Sequence, residues 1–128
     1  MKWFLKILAL SLMLQSFQCT ETNDSSDNIT SAQLETKKQE IQNYINGFSC
    51  SESVGCGFIA FGTKPCGGPW SYLVFSNNVN LTKLQEMVKD YNEMNQLFNI
   101  QTKAMSDCSV PSPPTEVKCV NGICTIIK

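Results

Sequence analysis

The chain contains no histidine and no arginine, because all ten of its basic residues are lysines. The absence of histidine excludes Ser-His and Cys-His nucleophile pairs, histidine general bases and histidine-ligated metals. The absence of arginine removes the bidentate guanidinium contacts that proteins often use to bind phosphate groups. With a net charge of −1 the chain also lacks a dense positive field, so nucleic acid is not expected as a partner.

Two recognisable catalytic spacings are missing as well. None of the seven cysteines stands at C-x-x-C spacing, which excludes the usual dithiol of thioredoxin-like oxidoreductases. The S-x-x-K pattern of histidine-free serine hydrolases is also absent. We therefore expect a non-enzymatic protein with no catalytic residues, no cofactor and no metal site. Catalysis by a lysine with a carboxylate remains an alternative, for instance Lys64 with Asp107 if Cys66 and Cys108 form a bridge.

Residues 1–18 have the form of a secretory signal peptide, with Lys2 and Lys6 ahead of an apolar run. That run, from Ile7 to Leu14, is too short to span a bilayer. The residues that follow, QSFQC at 15–19, resemble the cleavage box of bacterial lipoproteins, in which the cysteine becomes the acylated first residue. Gln18 departs from this pattern, because a small residue usually precedes the cysteine. Ordinary cleavage near Ser16 or Cys19, followed by soluble secretion, therefore remains an alternative.

Two features favour lipidation of Cys19. Setting Cys19 aside leaves an even number of cysteines, which can all pair in an oxidising compartment. Residues 19–30 are polar and acidic, as a flexible tether from a membrane surface would be. We therefore expect an exported lipoprotein of the cell envelope, facing the periplasm or on the outer membrane and attached to the membrane through its N-terminal lipid. A single globular domain then occupies residues 31–128.

The globular part carries signals for two helices and about four strands. The predicted elements are a helix at Thr30–Asn46 with a Thr30/Gln33 capping box, strands at Gly57–Phe61 and Ser71–Ser76, a helix from the N-cap Asn80 to about Asn99, and a hairpin of Glu116–Val120 with Ile123–Ile127 around Asn121-Gly122. This order predicts an α+β fold, with a small, mainly antiparallel sheet packed against two helices. A domain of this size also gains stability from cross-links, so we expect it to be stapled by disulfides.

Three disulfides are expected among the remaining cysteines: Cys50, Cys56, Cys66, Cys108, Cys119 and Cys124. Their spacing does not select one connectivity. Cys119 and Cys124 face each other across the predicted hairpin and can bridge directly, or both can reach back to Cys50 and Cys56. A bridge from Cys66 to Cys108 would enclose about forty residues and strongly restrict the unfolded chain. Zinc ligation by Cys119 and Cys124 is disfavoured, because no histidine and no second close cysteine pair accompany them.

The loop from Gly62 to Trp70 is the candidate binding surface. It holds two prolines and three glycines between two predicted strands, so it must project as an irregular connection. A bridge at Cys66 would make the loop rigid, and a preordered loop loses less entropy on binding. The candidate contact residues are Lys64, Pro65, Gly67, Gly68, Pro69 and Trp70, with Lys64 and Trp70 foremost. Alternatively, Trp70 is a core residue that begins the next strand.

Several short motifs resemble a group of small, cysteine-rich exported proteins of bacteria, similar to lipoproteins of the Bacteroidota. The motifs are Lys64-Pro-Cys-Gly-Gly-Pro69, Tyr72-Leu-Val74, Ser106-Asp-Cys108 and the C-x-x-G-x-C segment from Cys119 to Cys124. The resemblance covers roughly residues 49–124 and implies export and disulfides, but no activity. We expect a binding module for an unknown protein or cell-surface polymer. The alternatives are an inhibitor of a secreted hydrolase, with Lys64 as a specificity residue, and the lysine-dependent enzyme described above.

Overall fold

The structure, a computed structural model, describes residues 28–127. These residues form two helices and four strands. In chain order they are α1 (Ser31–Asn46), β1 (Cys56–Phe61), β2 (Ser71–Ser76), α2 (Leu81–Thr102), β3 (Val117–Val120) and β4 (Ile123–Ile126). The predicted α+β class is confirmed. The predicted leader and the lipidation site Cys19 lie outside the described residues. Within residues 28–127, no helix combines the length and apolar character needed to cross a membrane.

Both helices begin where the sequence predicts. The side chain of Thr30 accepts a hydrogen bond from the Gln33 N–H, and the Gln33 side chain accepts one from the Thr30 N–H, which completes the capping box of α1. The side chain of Asn80 caps α2 by accepting from the N–H of Lys83. Helix α2 continues three residues past the predicted end, and Lys103 then terminates it in a left-handed conformation with a φ of 51°. No glycine marks this end, so the sequence contains no sharp stop signal there.

The four strands form two separate sheets rather than the single sheet that was expected. Strand β1 pairs with β2 in antiparallel register, with Phe58 opposite Val74 and Ala60 opposite Tyr72. Strands β3 and β4 form the predicted C-terminal hairpin. Its turn residues Asn121 and Gly122 both have positive φ, as a type I′ turn requires.

The hydrophobic core lies between the inner face of the β1–β2 sheet and the two helices. Its buried members are Ile41 of α1, Phe61 of β1, Phe75 of β2, Val79, and Leu84 and Val88 of α2. The ring of Tyr91 stacks on Phe61 with a centroid distance of 4.2 Å. Helix α2 therefore supports β1 and, immediately after it, the start of the candidate loop.

Disulfides attach the hairpin to the first sheet in place of a hydrogen-bonded ladder. Cys119 and Cys124 are cross-strand partners, so their side chains lie on the same face of the hairpin. They do not bridge to each other. Cys50 bonds to Cys119 and Cys56 bonds to Cys124, so both hairpin cysteines reach back to the chain around β1. The third disulfide joins Cys66 to Cys108, and the expected number of three is confirmed.

Candidate functional site

The candidate loop is built around a tight turn. The N–H of Gly67 donates to the carbonyl of Lys64, and the N–H of Lys64 donates to the carbonyl of Gly68, both at 2.9 Å. Gly67 and Gly68 have φ values of 92° and 81°, which only glycine adopts without strain. The N–H of Trp70 then donates to the carbonyl of Phe61 at 3.0 Å and returns the chain to β2. The loop is thus internally bonded although it contains no regular structure.

Three asparagines of α2 fasten the start of the loop. The Asn92 Oδ1 atom accepts from the N–H of Gly62 at 2.7 Å, and the Asn95 Oδ1 atom accepts from the N–H of Thr63 at 2.8 Å. The Asn99 Nδ2 atom donates to the carbonyl of Thr63 at 2.7 Å. These side chains satisfy backbone groups that would otherwise be buried without partners. Their role was not predicted from the sequence, although their spacing of three and then four residues places them on one helix face.

A second segment, residues 106–110, holds the far side of the loop. Cys66 is bonded to Cys108 within it. A Cβ atom on Gly68 would lie 3.0 Å from the Cγ2 atom of Val110, so the loop backbone packs directly on that side chain. The loop is therefore fixed between α2 and residues 106–110.

Lys64 is buried, which corrects the expectation that its side chain is available to a partner. The residue is 6% exposed. Its Nζ atom lies 2.7 Å from Asp107 Oδ1 and 2.6 Å from the carbonyl oxygen of Ser109. A lysine held this way cannot enter the cleft of a hydrolase without breaking both hydrogen bonds, so the reason for assigning it an inhibitory role is lost.

The structure does bring Lys64 and Asp107 together, as the enzyme alternative required. The hydrogen bond from Lys64, followed by one from the Ser109 hydroxyl, lowers the pKa of the Asp107 carboxyl below its usual 3.8. Asp107 is therefore an ionised acceptor at neutral pH. Lys64 donates to it as an ammonium group, whereas a general base must offer a free lone pair. The contact has the form of a structural ion pair.

Trp70 is 45% exposed and does not belong to the buried core, which argues against its alternative assignment. A Cβ atom on Gly62 would lie 2.8 Å from the Trp70 Cδ1 atom, so the indole lies against bare backbone. The Lys64 Nζ atom lies 5.0 Å from the centre of the indole ring, a cation–π distance. The indole is thus positioned by the loop and still presents much of its surface to solvent.

A cleft of about 330 Å³ runs between the loop and the C-terminal part of α2. Pro65 and Gly67 form one wall. Ile100 and Ala104 form an apolar part of the other, and Gln96 adds an amide. Of the predicted contact residues outside this cleft, Gly68 is exposed and Pro69 is half-buried.

A larger cleft lies elsewhere, between the end of α1 and the hairpin, with a volume of about 580 Å³. Its walls carry no charged side chain: Ile45, Phe48, Val74 and Ile123 are apolar, and the polar members are Asn46, Ser49, Ser76 and Asn121. Such a lining offers no acid or base. The sulfur atoms of Cys50, Cys56 and Cys124 lie within 4.8 Å of one another, but all three belong to disulfides and are therefore not thiolate ligands.

The chain matches no model of a known protein family, no curated protein and no solved structure. The function must therefore be argued from the site itself. The site combines a fixed loop, the exposed indole of Trp70 and a cleft. Its ionisable side chains Lys64 and Asp107 already bind each other.

Proposed function

We propose that the protein is a non-enzymatic binding module of the cell envelope, attached to the membrane through a lipid on Cys19. Its binding surface is the rigid loop from Gly62 to Trp70 with the cleft beside it. The partner is a protein or a polymer of the cell surface. Three disulfides, which form and persist in oxidising compartments, support export.

The main support for this proposal is that several independent contacts fix the loop from Gly62 to Trp70, although it contains no helix or strand. Asparagines of α2, an ion pair and a disulfide connect it to two other parts of the chain. A surface connection needs no such support, since most loops are mobile. A loop fixed in advance loses little conformational entropy when a partner binds.

Trp70 is the side chain expected to contribute most to binding. Partly exposed tryptophans are frequent hot spots, because a large rigid ring gains contact area at a small entropy cost. The lysine beneath the indole is already paired with Asp107, so the surface carries no strong net charge of its own. We therefore expect binding to depend only weakly on salt concentration.

Intrinsic fluorescence tests the proposal directly, because Trp3 and Trp70 are the only two tryptophans in the chain. Trp3 lies in the predicted signal peptide, so Trp70 is the sole indole of a mature protein that begins at Cys19, and Trp3→Phe keeps it the sole indole where the leader is retained. Titration with separated protein and polysaccharide fractions of the envelope is expected to shift or quench its emission. Fractions that do so should bind Trp70→Ala at least about tenfold more weakly, a loss of about 1.4 kcal/mol.

Ile123→Ala is the matched control, since Ile123 is an exposed apolar residue of the hairpin and lies outside the loop. It is expected to bind as the unchanged protein does. Equal binding by Trp70→Ala, with both variants folded, would remove the loop as the binding surface.

A further inference from the structure

Among residues 28–127, one edge of the β1–β2 sheet has no neighbouring strand and faces α2 across a groove of about 310 Å³. Ile59 and Ala60 line the strand side of this groove. Val88, Lys89 and Glu93 line the helix side. The groove is open to solvent, so an elongated molecule can enter it.

The register shows which backbone groups point into the groove. The N–H of Asn77 donates to the carbonyl of Gly55 at 3.2 Å, which makes these two residues a hydrogen-bonded pair. Hydrogen-bonded and non-hydrogen-bonded pairs alternate along an antiparallel ladder. The pairs that contain Phe58 and Ala60 are therefore of the second kind. Their N–H and C=O groups point away from β2, on the side of the strand where α2 lies, and Ala60 lines the groove there.

Side chains of α2 supply hydrogen-bond acceptors to this edge of β1 at one end only. Gly62 follows Ala60 on the same side of the strand, and its N–H donates to the Asn92 side chain. The side chain of Asn95 does the same for the next residue, Thr63. Within residues 28–127, no side chain of α2 accepts from the N–H of Phe58 or Ala60. The edge therefore keeps two donors and two acceptors at strand spacing.

We propose that the free edge of β1 binds an extended segment of a partner protein, which adds to the sheet as a third strand. Pairing with Phe58 and Ala60 requires about three to four residues, or roughly 10 Å of extended chain. Partner side chains that point towards α2 meet Val88, so a small apolar residue fits there. Lys89 and Glu93 lie 3.7 Å apart as an ion pair, which leaves the rim without net charge.

This site adjoins the loop surface, since Thr63 and Gln96 line both the groove and the cleft, but it uses the backbone of β1 and does not depend on binding by the loop. Pairing β1 with the β1 of a second copy would bring the two α2 helices together at the same edge, so a second copy is not the proposed occupant. The first described residues, Asn28 and Ile29, lie on the other side of the helix. Ile29 and Asn28 hydrogen-bond to Gln101, which lies nine residues beyond Asn92 and so about half a turn around α2.

The test uses the full chain and a displayed library of random peptides of about eight residues, a common strand length. Selected peptides are compared by calorimetry with versions carrying N-methyl groups at alternate residues. One methylation pattern is expected to weaken binding at least about tenfold, because it removes the N–H groups that face β1. The opposite pattern should be tolerated. Recognition through side chains alone would not distinguish the two patterns.

Ala60→Pro removes one donor from the free edge, where proline is compatible with a strand. It is expected to bind the selected peptide at least about fivefold more weakly than Ala60→Ser, which keeps the N–H. In the unchanged protein, hydrogen exchange at the amides of Phe58 and Ala60 should slow when peptide is added, and this measurement does not require the variant to fold. Failure to select any peptide, equal binding by the proline variant, or a dimer that Ala60→Pro dissociates would each overturn the proposal.

Discussion

Lys64 and Asp107 lie 43 positions apart in the sequence, and their side chains meet at 2.7 Å. The two partners differ sharply in environment: the side chain of Lys64 is 7% exposed and that of Asp107 is 71% exposed. The ammonium group is thus the buried member and needs the contact, since water cannot replace the carboxylate at that depth. The pair ties the candidate loop to residues 106–110 beside the Cys66–Cys108 disulfide.

The ion pair predicts how stability depends on acid. The folded pKa of Asp107 lies below its ordinary value of 3.8, mainly because Lys64 donates to it. Its contribution to stability is therefore complete well above pH 3.8 and is lost as the pH falls through the lower, folded value. Unfolding free energies of the unchanged protein and of Asp107→Asn should differ by a constant amount near neutrality. The difference should shrink below about pH 4.

Ser109→Ala is the companion variant, because it removes the second hydrogen bond that lowers the pKa of Asp107. The acid-sensitive difference should be smaller in that background. A difference that stays constant from neutral pH down to about pH 2 would show that Asp107 has no depressed pKa.

The helix starts and the hairpin turn were predicted correctly, because short sequence motifs determine them. The capping residues Thr30 and Asn80 and the turn Asn121-Gly122 each act within a few positions, so the pattern alone contains the physical cause. The end of α2 was missed because Lys103 adopts its left-handed conformation without the glycine that usually marks it.

The candidate site depends on contacts between distant positions, and these were predicted only in part. The loop and its cysteine were identified, because glycine and proline cannot form regular structure there. The burial of Lys64 was not, since a lysine beside a proline looks like any exposed charge until residues 106–110 are placed over it. Likewise, Asn92 and Asn95 resemble ordinary polar helix residues, and only the fold brings Gly62 and Thr63 to them.

Lipidation of Cys19 remains a prediction from the leader and from the cysteine count. Cys19→Ala is expected to move the protein from the membrane fraction to the soluble fraction. Gln18→Ala restores the small residue that usually precedes the acylated cysteine, so this variant should be processed at least as completely as the unchanged chain. Mass analysis of the mature protein checks both. A mature N-terminus at Phe17 or Thr20 without diacylglycerol would contradict lipidation.

The three disulfides should differ in their response to a thiol reductant. Cys66 and Cys108 are both exposed, whereas Cys50 is only 8% exposed. Because thiol exchange needs access to a sulfur atom, Cys66–Cys108 should open first. Alkylation after brief reduction, followed by peptide mass analysis, identifies the bridge that opened. Replacing both of these cysteines by serine should lower stability by about 3 to 4 kcal/mol, since the bridge restricts a long loop of the unfolded chain. First opening of Cys50–Cys119 would contradict this order.

The hydrogen bond from Thr63 to Asn95 offers the clearest test of how α2 supports the loop. Asn95 is buried, and its Oδ1 atom accepts from the Thr63 N–H at 2.8 Å. In Asn95→Leu the apolar side chain leaves that partly buried N–H without an acceptor, which typically costs about 1 to 3 kcal/mol. Urea unfolding should show this loss, whereas Glu86→Ala on the exposed face of the same helix should change stability by less than about 0.5 kcal/mol. If the two variants are equally stable, the Asn95 contact does not fix the loop, and its rigidity must come from the contacts of Asn92 and Asn99, the Lys64–Asp107 ion pair and the Cys66–Cys108 disulfide.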